Sequence, residues 1–297
     1  MKTIHISPLR LNTAAKKFIG VALFATLFTH GTYAQEVKFS NEAADTTRIT
    51  SILIDECAHP DRGNVERLAR LFVNTPYAAG TLDRDSVETL TVNLDSLDCT
   101  TFVENVLALA YTAGERRQSW HDFIYNLRRI RYRGGTTDGY ASRLHYISDW
   151  IVDNVSRGNL REITSEIPQV RYGVKSLDFM STHRDKYPAL ANGNNYRAIK
   201  NVEAGFSNHR FPYIKGNSVK SKNVLSTLRN GDIICFTTST KGLDVTHLGI
   251  VTIIDGMPHI IHASSRAGKV IVDPLTLPEY IHRNRADGIR VVRLRIE

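Results

Sequence analysis

The chain has 297 residues, with 38 Lys and Arg against 30 Asp and Glu and a formal charge of +8. The excess is spread along the chain, which argues against a nucleic-acid footprint and suits a small anionic ligand instead. The sequence holds no heptads, repeats or low-complexity tracts, so coiled coils and repeat solenoids are set aside.

Lys16 and Lys17 precede an apolar run of eleven residues, 18–28, and Ala34 offers a small residue at a cleavage point. This is the pattern of a secretory signal peptide over 1–34. The run is too short to span a bilayer as a mature helix. No Cys follows Ala34 directly, so neither a lipid anchor nor any stable membrane anchor is expected. Cleavage removes Lys2, Arg10, Lys16 and Lys17 and no acid, which lowers the charge from +8 to +4. The expectation is a soluble, monomeric, periplasmic or secreted protein beginning near Gln35. Its 263 residues suffice for a single domain with a full core.

Three cysteines remain, Cys57, Cys99 and Cys235. The odd count leaves at least one free thiol in an oxidising compartment, where a thiol is either buried or used.

In chain order, residues 64–75 carry Val65, Leu68, Ala69 and Phe72 at helical spacing behind Asn64 as a cap. A loop follows at Thr75, Pro76, Tyr77 and Gly80. Residues 99–113 read as a second helix, with Phe102, Val103, Val106, Leu107 and Ala110 on one face. A third opens on a Ser119/Asp122 capping box and stops at Gly134-Gly135. A fourth is expected over 142–155. Residues 157–230 are polar, without a clear period, and read as an insertion. Strands are expected over 232–238, 245–254, 259–263, 269–273 and 289–296. Helices first and an antiparallel sheet last is an α+β plan.

Cys99 stands directly after Asp98, a good N-cap residue, and so in the first turn of its helix. There the dipole and free amides favour a thiolate and can donate to an oxyanion. Two readings stay open for Cys99: a nucleophile, or a small buried residue.

The stretch from Val245 to Ser264 allows a parity test. If Asp255-Gly256 is a two-residue hairpin turn, opposite residues sum to 511 and His262 faces Gly249, diagonal to His247. Diagonal neighbours lie roughly 7–8 Å apart at Cα, within reach for two imidazoles. His259 faces Thr252 on the other side of the sheet and reads as a bystander. His247 and His262 then suit a base and its orienter. They could also ligate a metal, but no acidic or cysteine partner sits at metal-site spacing. No metal or cofactor is expected.

These residues resemble a known family. The Asp98-Cys99-x-x-Phe102-Val103 helix start, the Gly231-Asp232-Ile-Ile-Cys235-Phe strand and the His247-x-Gly249-Ile…His262-Ala-Ser264 hairpin look like the NlpC-type, papain-like cysteine peptidases of bacterial cell walls. Pro76-Tyr77-x-x-Gly80 matches the tyrosine that lies beside the nucleophile in that superfamily. The segment Arg143-Leu-His145-Tyr146-Ile-Ser-Asp149-Trp150 further resembles its N-acetylmuramoyl-L-alanine amidase-like branch. Here the two histidines are fifteen apart, a longer hairpin than is usual in the family.

The resemblance implies a papain-like fold, with N-terminal helices packed on a C-terminal antiparallel sheet. It implies that 35–297 form one catalytic domain carrying the insertion at about 157–230. In that reading Cys99 is the nucleophile, His247 the base and His262 the orienter. Tyr77 and Asp98 serve the oxyanion or substrate, and Arg143, His145, Tyr146 and Asp149 contact substrate. The implied substrate is a muropeptide or peptidoglycan fragment, cut between N-acetylmuramic acid and L-Ala. The alternatives are an endopeptidase acting between D-Glu and the diamino acid of the stem peptide, and a non-catalytic wall-binding protein. Cys57 and Cys235 read as buried thiols, with a disulfide between them as the alternative. Arg128, Arg129, Arg131 and Arg133 read as a solvated face.

Overall fold

A computed structural model of the chain describes residues 37–83 and 87–295. The leader expected over 1–34 lies outside them. The elements run β1 (Val37–Phe39), α1 (Glu42–Ala58), α2 (Val65–Arg70), β2 (Leu90–Val92), α3 (Cys99–Gly114), α4 (Trp120–Arg131), α5 (Ile147–Ser156), β3 (Leu160–Glu162) and β4 (Val170–Lys175). There follow α6 (Phe179–Thr182), α7 (Gly193–Gly205), β5 (His209–Lys215), α8 (Lys222–Leu225), β6 (Ile233–Thr237), β7 (Val245–Ile254), β8 (Met257–Ser264), β9 (Lys269–Val272), α9 (Leu277–Asn284) and β10 (Gly288–Leu294). The α+β plan read from the sequence holds. Among the described residues no helix is long and apolar enough to cross a membrane.

Strands β4-β5-β10-β6-β7-β8-β9 lie side by side in one eight-stranded antiparallel sheet, and β3 adds to β10. Every residue of β6 is buried, because both faces of the sheet are covered. Ile233, Cys235, Leu248, Ile250 and Ile261 enter a core with Phe102, Val106 and Leu107 of α3. Ile234, Phe236, Val251 and Ile260 enter a second core with Leu277, Tyr280 and Ile281 of α9. Helix α3 is buried continuously from Thr101 to Ala113, so its first turn is held rigidly against the sheet.

The helix expected over 142–155 starts late, at Ile147. The preceding residues are extended because the Leu144 N–H donates to the Arg131 carbonyl and Arg143 pairs with Tyr132. Ser119 caps α4 alone, by accepting from the His121 N–H; Asp122 is bonded to Arg117. The stretch 157–230 supplies three strands to the main sheet, so it is built into the fold. A third core, of Tyr140, Tyr146, Leu177, Met180, Leu190 and Ile199, joins it to the 140–146 segment.

Candidate active site

Cys99 is the first residue of α3. Asp98 caps that helix with a reciprocal box: its Oδ1 accepts from the Thr101 N–H at 2.8 Å, while its own N–H donates to Thr101 Oγ1 at 2.9 Å. The Asp98 carboxylate is therefore taken up by its own helix.

The hairpin has the expected register. Asp255 and Gly256 both have positive φ, 50° and 76°, which a type I′ turn requires. Ile254 faces Met257, Thr252 faces His259 and Ile250 faces Ile261. The β7–β8 ladder stops there, one pair short of Gly249 and His262. Beyond that point the Leu248 backbone hydrogen-bonds the Cys99 sulfur. His247, the preceding residue, is thus delivered to the N-terminus of α3. Gly249 serves close packing, since a Cβ there would meet Ile260 Cβ at 3.1 Å.

His247 Nε2 lies 2.7 Å from His262 Nδ1, and His262 Nε2 lies 3.2 Å from Asp273 Oδ2. Asp273 Oδ1 accepts from the Leu275 N–H. Phe236 and Tyr280 flank the histidines, with Tyr280 5.3 Å from the His262 ring. His262 is only 2 % exposed. His259 points the other way and bonds the Asp273 carbonyl. Asp273 escaped the sequence reading, although one more parity count would have reached it. The β8–β9 pairs sum to 533, which places Asp273 opposite Ile260 and diagonal to His262.

Burial, with the nearby Asp98 charge, pushes the Cys99 thiol up to about 11, against the pull of the Leu248 and Cys99 amides. Burial, reinforced by His262, pushes His247 down to about 3. Burial also lowers His262, with Asp273 opposing. Burial thus favours the uncharged form of both groups. The low thiol pKa expected from the helix dipole alone is not found, because desolvation outweighs it.

Tyr77 joins the site through its backbone. Its N–H donates to the Gly268 carbonyl, and it bridges to Leu97, two residues before Cys99. Burial above all, then the proximity of Cys99 and Asp98, raises its phenol and keeps it protonated.

The 143–149 segment is engaged internally. Arg143 pairs with Asp83 and, at 3.1 Å, with Glu88, and lies over the Tyr140 ring. Burial disfavours the Arg143 charge, but Glu88 and Asp83 more than restore it. His145 Nε2 meets the Tyr140 carbonyl at 2.9 Å. The Tyr146 hydroxyl donates to Glu203 and accepts from the Met180 N–H. Asp149 holds Arg133 through two bonds of 2.7 and 2.5 Å. Arg131 is buried on Glu104 rather than solvated. All three thiols are free, so Cys57 and Cys235 are not joined.

A family model described as AmiA-like, N-acetylmuramoyl-L-alanine amidase-like, matches residues 67–289. An N-acetylmuramoyl-L-alanine amidase from Bacteroides uniformis is 37 % identical with a TM-score of 0.74, covering 78 % of this chain and 99 % of its own. A Bacteroides fragilis protein, described as a candidate xylanase, is 43 % identical with a TM-score of 0.72, covering 77 % and 100 %. A Legionella pneumophila protein at 23 % identity shares the fold, with a TM-score of 0.66 over 86 % and 97 %. A search of the curated proteins finds no match. The chain belongs to the AmiA-like, N-acetylmuramoyl-L-alanine amidase-like family.

Proposed function

We propose that this protein is a cysteine amidohydrolase of the papain-like kind that acts on peptidoglycan fragments. It is exported and works as a monomer after losing its leader, and it cuts the amide between N-acetylmuramic acid and L-Ala. The observation that carries the reading is the ordered chain from Asp273 through His262 to His247, next to Leu248, whose backbone bonds the Cys99 thiol at a helix start.

A carboxylate only accepts hydrogen bonds, so His262 Nε2 carries the proton toward Asp273. With His262 neutral, its Nδ1 must accept, and His247 Nε2 must donate. That leaves the lone pair of His247 on Nδ1, free for the thiol. The acceptor at one end thus fixes the tautomer of both rings.

As Sγ attacks the carbonyl carbon, His247 Nδ1 takes the thiol proton and the carbonyl oxygen gains negative charge. The Cys99 amide and the Tyr77 hydroxyl stabilise that oxyanion. Collapse breaks the C–N bond, and His247 returns the proton to the leaving amine. The thioester left on Cys99 is hydrolysed by water that His247 deprotonates, which restores the thiol. Burial that holds both groups neutral at rest keeps the proton available for each step.

The candidate-xylanase description of the B. fragilis relative fits this site poorly. Most glycoside hydrolysis uses two carboxyl groups flanking the scissile bond, whereas Asp98 and Asp273 are both taken by internal bonds. The test is digestion of a defined disaccharide-tripeptide followed by mass spectrometry. Free disaccharide and free tripeptide are expected. A disaccharide-dipeptide product would instead establish the endopeptidase.

A further inference from the structure

A cavity of about 300 Å³ opens beside the histidines, with His247, His262, Tyr280, Arg266, Arg283 and Asn284 among its lining residues. Arg266 stands on the turn between β8 and β9, and Arg283 in the last turn of α9. Both are exposed, and neither guanidinium has an ion-pair partner among the described residues. Arg131, Arg143 and Arg290, by contrast, are each held by a carboxylate. Asp273 also borders the cavity, but both of its carboxylate oxygens are bonded within the protein. The Tyr280 ring lies 6.2 Å from the His247 ring and 5.3 Å from the His262 ring, so the cavity borders the histidine pair.

We propose that this cavity is the leaving-group subsite, and that Arg266 and Arg283 there bind a carboxylate of the stem peptide. The inference rests on the proposed amidase reaction and adds which part of the substrate lies where. The group that protonates the departing amine must stand on the leaving-group side, and His247 is a wall of this cavity. The leaving group of that reaction is the stem peptide, which bears carboxylates; the sugars on the other side are uncharged. Two unpaired guanidinium groups match that charge. The volume lies at the small end of ligand pockets and suits a short peptide segment.

The test uses the full mature Cys99→Ala protein, titrated calorimetrically with the tripeptide L-Ala–D-Glu–diaminopimelate. The same peptide with its carboxylates converted to carboxamides serves as the probe without anionic groups. Arg266→Gln and Arg283→Gln should each weaken tripeptide binding about tenfold, the order of one charge-assisted contact. The amidated peptide should bind the double variant no more weakly than the parent. Failure of the parent to bind the tripeptide, or equal affinity in the double variant, overturns the proposal. Arginine-dependent binding by an enzyme that leaves disaccharide-tripeptide intact would keep the subsite and remove the proposed scissile bond. Cleavage with unchanged KM in the double variant would do the reverse.

Discussion

Two stretches of this chain carry the residues richest in chemistry, and they end in opposite states. From Val245 to Asp273, the hairpin lines up Asp273, His262 and His247 by bonds of 3.2 and 2.7 Å, and one imidazole nitrogen is left over at the end. From Arg143 to Asp149, the charged and phenolic side chains are matched inside the protein. Arg143 has Asp83 and Glu88, Tyr146 has Glu203, and Asp149 has Arg133. The residue types are equally suited to catalysis. What separates the two stretches is how those groups are joined: the first strings its side chains into one line that ends at His247, while in the second each charged group is held by its own internal partner.

That contrast can be broken by mutation. The largest effect is expected at the two reacting groups: Cys99→Ala or His247→Ala should lower kcat/KM on a defined muropeptide by at least about 10⁴-fold. His262→Ala should cost on the order of 10³-fold, because it sets tautomer and geometry without transferring the proton. Asp273→Asn, one step further out, should cost roughly 10- to 100-fold, by analogy with groups that orient a reacting imidazole. A normal rate in Asp273→Asn would show that the ordering ends at His262.

Arg143→Ala reads the other stretch. Removing this guanidinium leaves Glu88, itself nearly buried, without its counter-charge and with only the Tyr132 hydroxyl donating to it. The expected loss is about 3–5 kcal/mol of stability by denaturant unfolding, with kcat/KM of the folded protein within about twofold. A raised KM at unchanged stability would return Arg143 to the substrate.

The smallest effects are controls with direction. His259→Ala should stay within about threefold in kcat/KM, since the ring faces away and meets only the Asp273 carbonyl. Because His247 is pushed down to about 3, it stays unprotonated above that pH and remains a base. The profile of kcat/KM should therefore show no acid limb at the ordinary imidazole value near 6.5. A limb there would mean that His247 is charged in the resting enzyme.

Much of the site was legible because local rules fix it. Asp98 before Cys99 announces a capped helix, and the Asp255-Gly256 turn settles which histidines share a face. Other parts were hidden by packing that one sequence does not display. The expected helix over 142–155 is shortened by the Arg143–Tyr132 bridge, a long-range pairing with no local signal. The thiol pKa follows burial, which the cap pattern does not reveal. Two misses did have signals: Thr276-Leu-Pro-Glu279 is a capping box with Pro in the first turn and opens α9, and Asp273 lies one parity count beyond His262.

In the proposed reaction Cys99 carries the muramoyl half of the substrate during turnover. Intact-protein mass spectrometry of an acid-quenched reaction with disaccharide-tripeptide tests this directly. The predicted adduct has the mass of the disaccharide acyl group, maps to Cys99 and is absent from Cys99→Ala. An adduct that includes L-Ala and D-Glu would place the cut in the stem peptide. Full turnover by Cys99→Ala, with no adduct on either protein, would contradict the mechanism itself.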